Sequence, residues 1–324
     1  MVTFLSILPL ALWLWAAHAG RRQSVVAFIV YLSLAGTSLL LVMSGAVLLS
    51  VSIIGGVPSL PGEGLAAETL TFIGRTLLLG GMAALLVMLP PVQRLLARFM
   101  DIRPNDPVHT TALVMACYFV TSTLVQTPLL DMLLDDEFAL PPGELVGQAL
   151  GLTLMALGGT GIGITRTWKE TVARLDLVWP RRREWVAAGV GTLALIAMQS
   201  ALGALWMAIS PESMERVNQI TTTLLGEFFN PWGALLIGLS AGISEELVFR
   251  GALQPRFGLL ITSLLFASVH LQYAFSFALV IVFILALGLG YLRQRWNTTT
   301  AIIAHVLYNA LLILMAISFP DAPS

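Results

Sequence analysis

Apolar stretches long enough to cross a membrane follow one another along almost the whole chain. A transmembrane helix needs about 20 mainly apolar residues to cross roughly 30 Å of hydrocarbon. Only 11% of the 324 residues are charged, whereas about a quarter are charged in soluble domains. We therefore predict an all-α fold, a polytopic integral membrane helical bundle of about ten transmembrane helices. The predicted spans are residues 2–18, 25–54, 69–90, 109–134, 145–165, 185–209, 232–254, 257–272, 274–292 and 298–319.

The charged residues between these spans predict an orientation. Basic residues concentrate in alternate loops, namely Arg21 and Arg22; Arg94, Arg98 and Arg103; the run 166–183; Arg256; and Arg293 and Arg295. The other loops hold Glu63, Glu68, Asp135, Asp136, Glu137, Glu144, Glu212 and Glu215, with Arg216 as their one basic residue. Cytoplasmic loops carry an excess of Lys and Arg. We therefore expect a multi-pass protein of the cell (plasma) membrane with cytoplasmic basic loops and both termini outside.

The first span has an alternative interpretation. Ala17, His18 and Ala19 resemble the small-residue cleavage site of a signal peptide. Cleavage there would remove one crossing and place every basic loop outside, against the positive-inside rule. The charge pattern therefore favours an uncleaved first span.

A polar linker at residues 166–185 divides the predicted chain. We expect an N-terminal transmembrane region of about five helices with this basic cytoplasmic linker at 1–184, and a core of about five helices at 185–319. The outer segment 210–231 has enough apolar residues to form a surface helix that ends before Pro231. A net charge of −1 and the lack of a basic tract with interleaved aromatic residues give no reason to expect a nucleic-acid partner.

Ionisable residues cluster within three of the last four apolar stretches. Glu245, Glu246 and Arg250 lie in one, His270 in the next, and His305 in the last, which also carries Asn309. A charged side chain at a helix centre costs about 2.5 to 3.5 kcal/mol on insertion scales. Packing alone does not explain such a cluster, so we interpret it as a functional site.

Helical spacing gives these residues separate roles. Glu246 and Arg250 are four residues apart, so they share a helix face and can form a supporting ion pair. Glu245 is rotated by about 100° from Glu246 and can face the bundle interior. If the chain turns near Pro255 and Arg256, Glu245 lies roughly 15 Å from the cytoplasmic surface.

The same estimate places His270 at roughly 21 Å, and His305 and Asn309 at roughly 12 and 18 Å. The predicted site residues therefore share one layer of the membrane, and Phe266 lies one turn before His270.

This residue set suits the attack of water on a carbonyl. A glutamate in low dielectric has a raised proton affinity and can accept a proton from water. His270 could hold the same water, while His305 and Asn309 could donate hydrogen bonds to the developing oxyanion. Glu245, His270 and His305 also supply the ligand types of a two-histidine, one-carboxylate zinc site, which stays an alternative.

Three motifs in this region resemble those of the CPBP family, the Abi- and Rce1-like CAAX proteases and bacteriocin-processing relatives. They are Glu-Glu-x-x-x-Arg at 245–250, Phe-x-x-x-His at 266–270 and His-x-x-x-Asn at 305–309. The resemblance covers about residues 232–318 and implies an intramembrane glutamate endopeptidase with no obligatory cofactor. Glu245 and His270 would activate water, and His305 and Asn309 would form the oxyanion site. Glu246, Arg250 and Phe266 would support them.

The resemblance also implies a peptide or membrane-protein substrate, possible lipidation of that substrate, and contact with the bilayer. Other functions use similar residues. A non-proteolytic membrane scaffold or immunity protein could keep the same motifs, and a proton-coupled transporter could use the same buried charges as a relay.

A second protease chemistry is suggested by residues 238–242, which match Gly-x-Ser-x-Gly. A nucleophile elbow needs a strand-turn-helix context. We therefore predict that Gly238 and Gly242 serve close helix packing instead.

Overall fold

The computed structural model describes residues 4–53, 67–129, 139–270 and 276–318, and these residues form helices without a β-strand. The all-α prediction is confirmed. The helices are α1 (Phe4–Gly20), α2 (Ser24–Ile53), α3 (Ala67–Leu86), α4 (Pro90–Leu96), α5 (Pro107–Gln126), α6 (Pro142–Thr160), α7 (Trp168–Arg174), α8 (Arg182–Ile209), α9 (Pro211–Leu225), α10 (Pro231–Glu246), α11 (Gln254–Ser268), α12 (Phe277–Arg295) and α13 (Thr298–Ser318).

Within the described ranges, 7 helical runs are long and apolar enough to cross a membrane. They are α2, α3, α5, α8, the run Pro231–Ser268, α12 and α13. The chain is thus a polytopic helical membrane protein, as predicted, and the number of about ten spans stays a prediction. The predicted span 2–18 is a shorter apolar helix, and 145–165 is not among these runs. The run Pro231–Ser268 covers the predicted spans 232–254 and 257–272 and is broken by non-helical backbone at Gly258. Glu63, Asp135, Asp136 and Glu137 lie outside the described residues.

The run Pro231–Ser268 contains a π-helix, Leu247–Leu253, between α10 and α11. Backbone geometry departs from helical only at Gly258, with φ 79° and ψ 168°. That region of backbone space is accessible essentially to glycine alone. The turn predicted near Pro255 and Arg256 is therefore confirmed, with the break at Gly258.

The chain divides into two compact units. One comprises Met1–Trp15 with Met132–Ser324, and the other comprises Ala16–Asp131. This division does not coincide with the boundary expected between residues 184 and 185, which stays a prediction about domain organisation.

In the unit Ala16–Asp131, α2 and α3 approach each other closely through glycines. A Cβ atom at Gly45 would lie 2.5 Å from the backbone nitrogen of Leu78 and 2.6 Å from the carbonyl oxygen of Gly74. A Cβ atom at Gly74 would in turn lie 3.1 Å from the carbonyl oxygen of Gly45. Small residues at such crossings allow close packing of transmembrane backbones.

We expect the Gly45→Ala substitution to lower the free energy of unfolding by about 1 to 3 kcal/mol, the usual range for overpacking. Gly36→Ala is the matched control, because it lies on the same helix and a Cβ atom there meets nothing within 4 Å. Titration with SDS from mild-detergent micelles measures both variants. Equal stability of the two variants would contradict the close approach at Gly45.

In the other unit, α10 packs against α13 through the Gly-x-Ser-x-Gly segment. A Cβ atom at Gly238 would lie 2.9 Å from the carbonyl oxygen of Val306, and one at Gly242 would lie 2.8 Å from its backbone nitrogen. The packing interpretation of these glycines is confirmed. This contact brings the C-terminal end of α10, which carries Glu245 and Glu246, beside His305 on α13.

The segments on either side of α8 also have defined structure. The predicted linker contains the short helix α7 and then runs to the start of α8 at Arg182. The helix predicted within 210–231 is confirmed as α9, whose Met214, Val217 and Ile220 are buried, and its place on the outer side of the membrane stays a prediction. A 3₁₀ turn, Gly226–Phe228, follows it and ends before Pro231.

Candidate active site

Glu245 and Glu246 are the last two residues of α10, and their environments differ. The side chains of Glu246 and Arg250 are both 0% exposed, and Arg250 Nε lies 3.1 Å from Glu246 Oε2. The Glu245 side chain is 20% exposed. The predicted ion pair is therefore present and buried, and of the two carboxylate side chains only that of Glu245 is partly exposed.

Glu246 also contacts the last motif. Its Oε1 atom lies 3.0 Å from Nδ1 of His305, whose side chain is 7% exposed. A carboxylate accepts hydrogen bonds, so we assign the Nδ1 proton to His305. Glu246 thus links α10 to α13 and fixes the His305 ring. Helical spacing gave no signal of this contact, because its partners are 59 residues apart.

His270 follows the end of α11 and faces Glu245. Its Nδ1 lies 2.7 Å from the carbonyl oxygen of Phe266, and its Nε2 lies 3.8 Å from Glu245 Oε2. The carbonyl can only accept, so the proton of a neutral His270 belongs on Nδ1. Nε2 is then an acceptor. Two acceptors, the Glu245 carboxylate and Nε2, therefore face each other at a distance too long for a direct hydrogen bond.

The Phe266 ring packs between the two histidines. Its centroid lies 4.4 Å from that of His270 in a stacked arrangement and 6.2 Å from that of His305 in a tilted one. Arg250 Cζ lies 4.9 Å from the same ring, and Phe249 meets it edge-on at 4.9 Å. Phe266 therefore contacts all three motifs, which supports the packing role predicted for it.

Asn309 completes the predicted set. It lies four residues after His305 on α13 and is partly buried. The other six predicted residues, Glu245, Glu246, Arg250, Phe266, His270 and His305, form one connected cluster. In the described part of the chain, no three His, Cys, Asp or Glu side chains meet in a group that could hold a metal ion. The absence of a cofactor stays a prediction.

Arg174 is a site-supporting residue that the sequence did not indicate. From the end of α7, it donates hydrogen bonds of 2.9 and 3.2 Å to the carbonyl oxygens of Gly251 and Ala252 in the π-helix. A Cβ atom at Gly251 would lie 2.8 Å from a Leu175 methyl group. The linker therefore holds the π-helix that follows Glu245 and Glu246. No local spacing predicts a contact across 77 residues.

We expect Arg174→Gln to lower the free energy of unfolding by about 1 to 3 kcal/mol, because two hydrogen bonds from a charged donor are lost. Lys169→Gln is the matched control, since Lys169 is exposed on the same helix. SDS titration measures stability, and amide hydrogen exchange reports on the π-helix. Unchanged exchange of residues 247–253 in Arg174→Gln would contradict this role.

The motif helices match one protein family. Residues 227–311 match the family described as Type II CAAX prenyl endopeptidase Rce1-like. The matched segment contains all seven predicted site residues, so the resemblance drawn from the three motifs is confirmed for this part of the chain. No curated protein matches the chain, and no solved structure does. The Rce1-like match supports a membrane-embedded protease.

Proposed function

We propose that the protein is an intramembrane glutamate endopeptidase that hydrolyses peptide bonds of membrane-associated substrates with water as the nucleophile. The observation that carries the proposal is the facing pair of Glu245 and His270. Their side chains are 20% and 19% exposed and 3.8 Å apart, beside charged groups that are fully buried. The Rce1-like match supports the same class of activity.

A water between the two acceptors would donate one hydrogen bond to the Glu245 carboxylate and one to Nε2 of His270. Its oxygen lone pairs would then be free to attack the scissile carbonyl carbon. As the new C–O bond forms, Glu245 takes the proton and the carbonyl π electrons move to the oxygen. When the tetrahedral intermediate collapses, the C–N bond breaks and protonated Glu245 returns the proton to the leaving nitrogen. Glu245 thus acts first as base and then as acid.

The oxyanion would be stabilised by His305 and Asn309. The Asn309 amide is a neutral donor, whereas the Nε2 atom of His305 donates only when the ring carries both protons. The Glu246 carboxylate accepts the Nδ1 hydrogen bond and so fixes the direction in which Nε2 points. Preorganised donors aimed at a developing oxyanion often contribute about 3 to 4 kcal/mol each. Glu246 and Arg250 act through His305 and are positioning residues.

The family match also bears on the substrate. The matched family is described as a CAAX prenyl endopeptidase, and we propose a lipidated C-terminal peptide as the first substrate to test. Such a substrate would reach the site from the leaflet next to the basic loops. We propose that these loops are cytoplasmic, that both termini are outside, and that the membrane is the cell membrane.

The test is peptide-bond cleavage by purified protein in neutral detergent. A prenylated peptide, the same peptide without the lipid, and a pool of membrane-associated peptides are incubated with and without a chelator, and products are read by mass spectrometry. We expect cleavage that the chelator does not change. Loss of cleavage with the chelator would favour zinc bound by Glu245, His270 and His305. No cleavage by folded protein in any arm would favour the scaffold alternative.

A further inference from the structure

A groove between α8 and α12 has the form of a lipid site. Its volume is about 770 Å³, within the range of roughly 300 to 1,000 Å³ typical of ligand pockets. Arg182, Arg183 and Trp296 line one end, whereas Val190, Ala194 and Leu292 are among the residues that line the remainder. The groove is therefore charged at one end and apolar along its length.

Two glycine contacts form the walls of this groove. A Cβ atom at Gly191 would lie 2.7 Å from a Leu292 methyl group, and one at Gly288 would lie 2.7 Å from a Leu195 methyl group. Each glycine therefore lets a leucine of the opposite helix come close. Leu195 is itself part of the buried core. The groove is thus a defined cleft between two packed helices, and it does not depend on a loop.

The length of the groove fits one leaflet. Arg182 and Leu195 are thirteen residues apart on α8, which is roughly 20 Å at 1.5 Å per residue. Half of the hydrocarbon core measures about 15 Å, and the headgroup region adds several more. A molecule with its polar end at Arg182 would therefore reach the bilayer centre with its apolar end.

The charge at the polar end favours an anion. Arg182 is exposed, and the Arg183 and Arg295 guanidinium carbons lie 5.9 and 5.5 Å from the centre of the Trp296 ring. Arg183 also pairs with Glu184 at 2.8 Å. The basic residues at these two helix ends are Arg181, Arg182, Arg183, Arg293 and Arg295. Of these, Arg293 lies 4.0 Å from Asp176. Basic pockets between transmembrane helices bind anionic lipid headgroups.

We propose that this groove binds one anionic diacyl phospholipid, with its phosphate at Arg182 and Arg183 and an acyl chain along α8 and α12. The inference is independent of the proposed protease activity. It needs neither Glu245 nor His270, so the site is testable by binding alone.

The probes are dioleoyl phosphatidylglycerol and dioleoyl phosphatidylcholine, which share their acyl chains and differ in headgroup charge. Native mass spectrometry of the delipidated full chain, titrated with each lipid, measures both affinities. We expect phosphatidylglycerol to bind about tenfold more tightly. The Arg182→Gln/Arg183→Gln variant should lose this preference. The Ala194→Phe variant, which narrows the apolar part of the groove, should reduce the binding of both lipids.

The matched control is Arg94→Gln/Arg98→Gln, which removes the same charge from two exposed arginines elsewhere in the chain. We expect this control to keep the preference of the wild type. Equal affinities of the two lipids for the wild type would overturn the proposal. An equal loss of preference in both double variants would also overturn it, because it would indicate binding to diffuse surface charge. Phosphatidylglycerol binding as tight as that of the wild type in a folded Ala194→Phe variant would overturn it too, because the lipid would then lie outside the groove.

Discussion

Peptide hydrolysis by the Glu245→Gln variant should be about 100- to 10,000-fold slower than by the wild type, the usual effect of losing a general base. The amide keeps the shape of the side chain but cannot take a proton from water. Stability should change little, because Glu245 is partly exposed and its contact with His270 is too long for a hydrogen bond. The measurement is the initial rate of product formation, together with an SDS titration.

Glu227→Gln is the control, since Glu227 is exposed shortly before α10. We expect it to retain wild-type rates. The Glu245→Gln/His270→Ala variant should be little slower than the slower of its two single variants, because residues that hold one water act as a unit. A Glu245→Gln rate within threefold of wild type would remove Glu245 from the reaction.

The second prediction with a large effect concerns the free energy of unfolding and the buried pair of Glu246 and Arg250. We expect Arg250→Leu to lower the free energy of unfolding by about 3 to 5 kcal/mol, because it leaves the buried Glu246 carboxylate without its cation. The Glu246→Leu/Arg250→Leu variant should recover much of that loss, since replacing both members of a buried pair with apolar residues is often neutral. SDS titrations of the two single variants and the double variant form the thermodynamic cycle.

Among these Glu246 and Arg250 variants, the rate of hydrolysis should not recover together with the free energy of unfolding. In the double variant His305 loses the carboxylate that fixes its ring, so hydrolysis should stay low even where the fold recovers. Additive destabilisation by the two single substitutions would contradict the buried pair. Full activity of the double variant would contradict the positioning role of Glu246.

The local part of the site could be predicted from the sequence because it depends on helical spacing. Four-residue spacing predicts that Glu246 meets Arg250 and that Phe266 meets His270, and both contacts are present. The Glu245 and Glu246 side chains point in different directions because successive residues of a helix are rotated by 100°. These relations depend on the local helical backbone and not on which helices pack against each other.

The remaining contacts depend on which helices become neighbours. The bond between His305 and Glu246 needs the close approach of α10 and α13, and the bonds from Arg174 need the linker to return to the π-helix. Hydropathy also could not fix the residue at which the chain breaks between 232–254 and 257–272, because Pro255 and Arg256 resemble a loop in composition. Only the backbone shows that the break falls at Gly258.

The π-helix at Leu247–Leu253 has a consequence for how such sequences can diverge in length. Its hydrogen bonds run from residue i to i+5, so it holds one residue more than an α-helical turn would. Deleting one residue there would rotate the helical residues between the π-helix and the break at Gly258 by about 100° relative to α10. The segment that carries Phe266 and His270 would then be displaced relative to Glu245. The number of residues in the π-helix is therefore constrained by the contacts on either side of it, those of Glu246 before it and those of Phe266 after it.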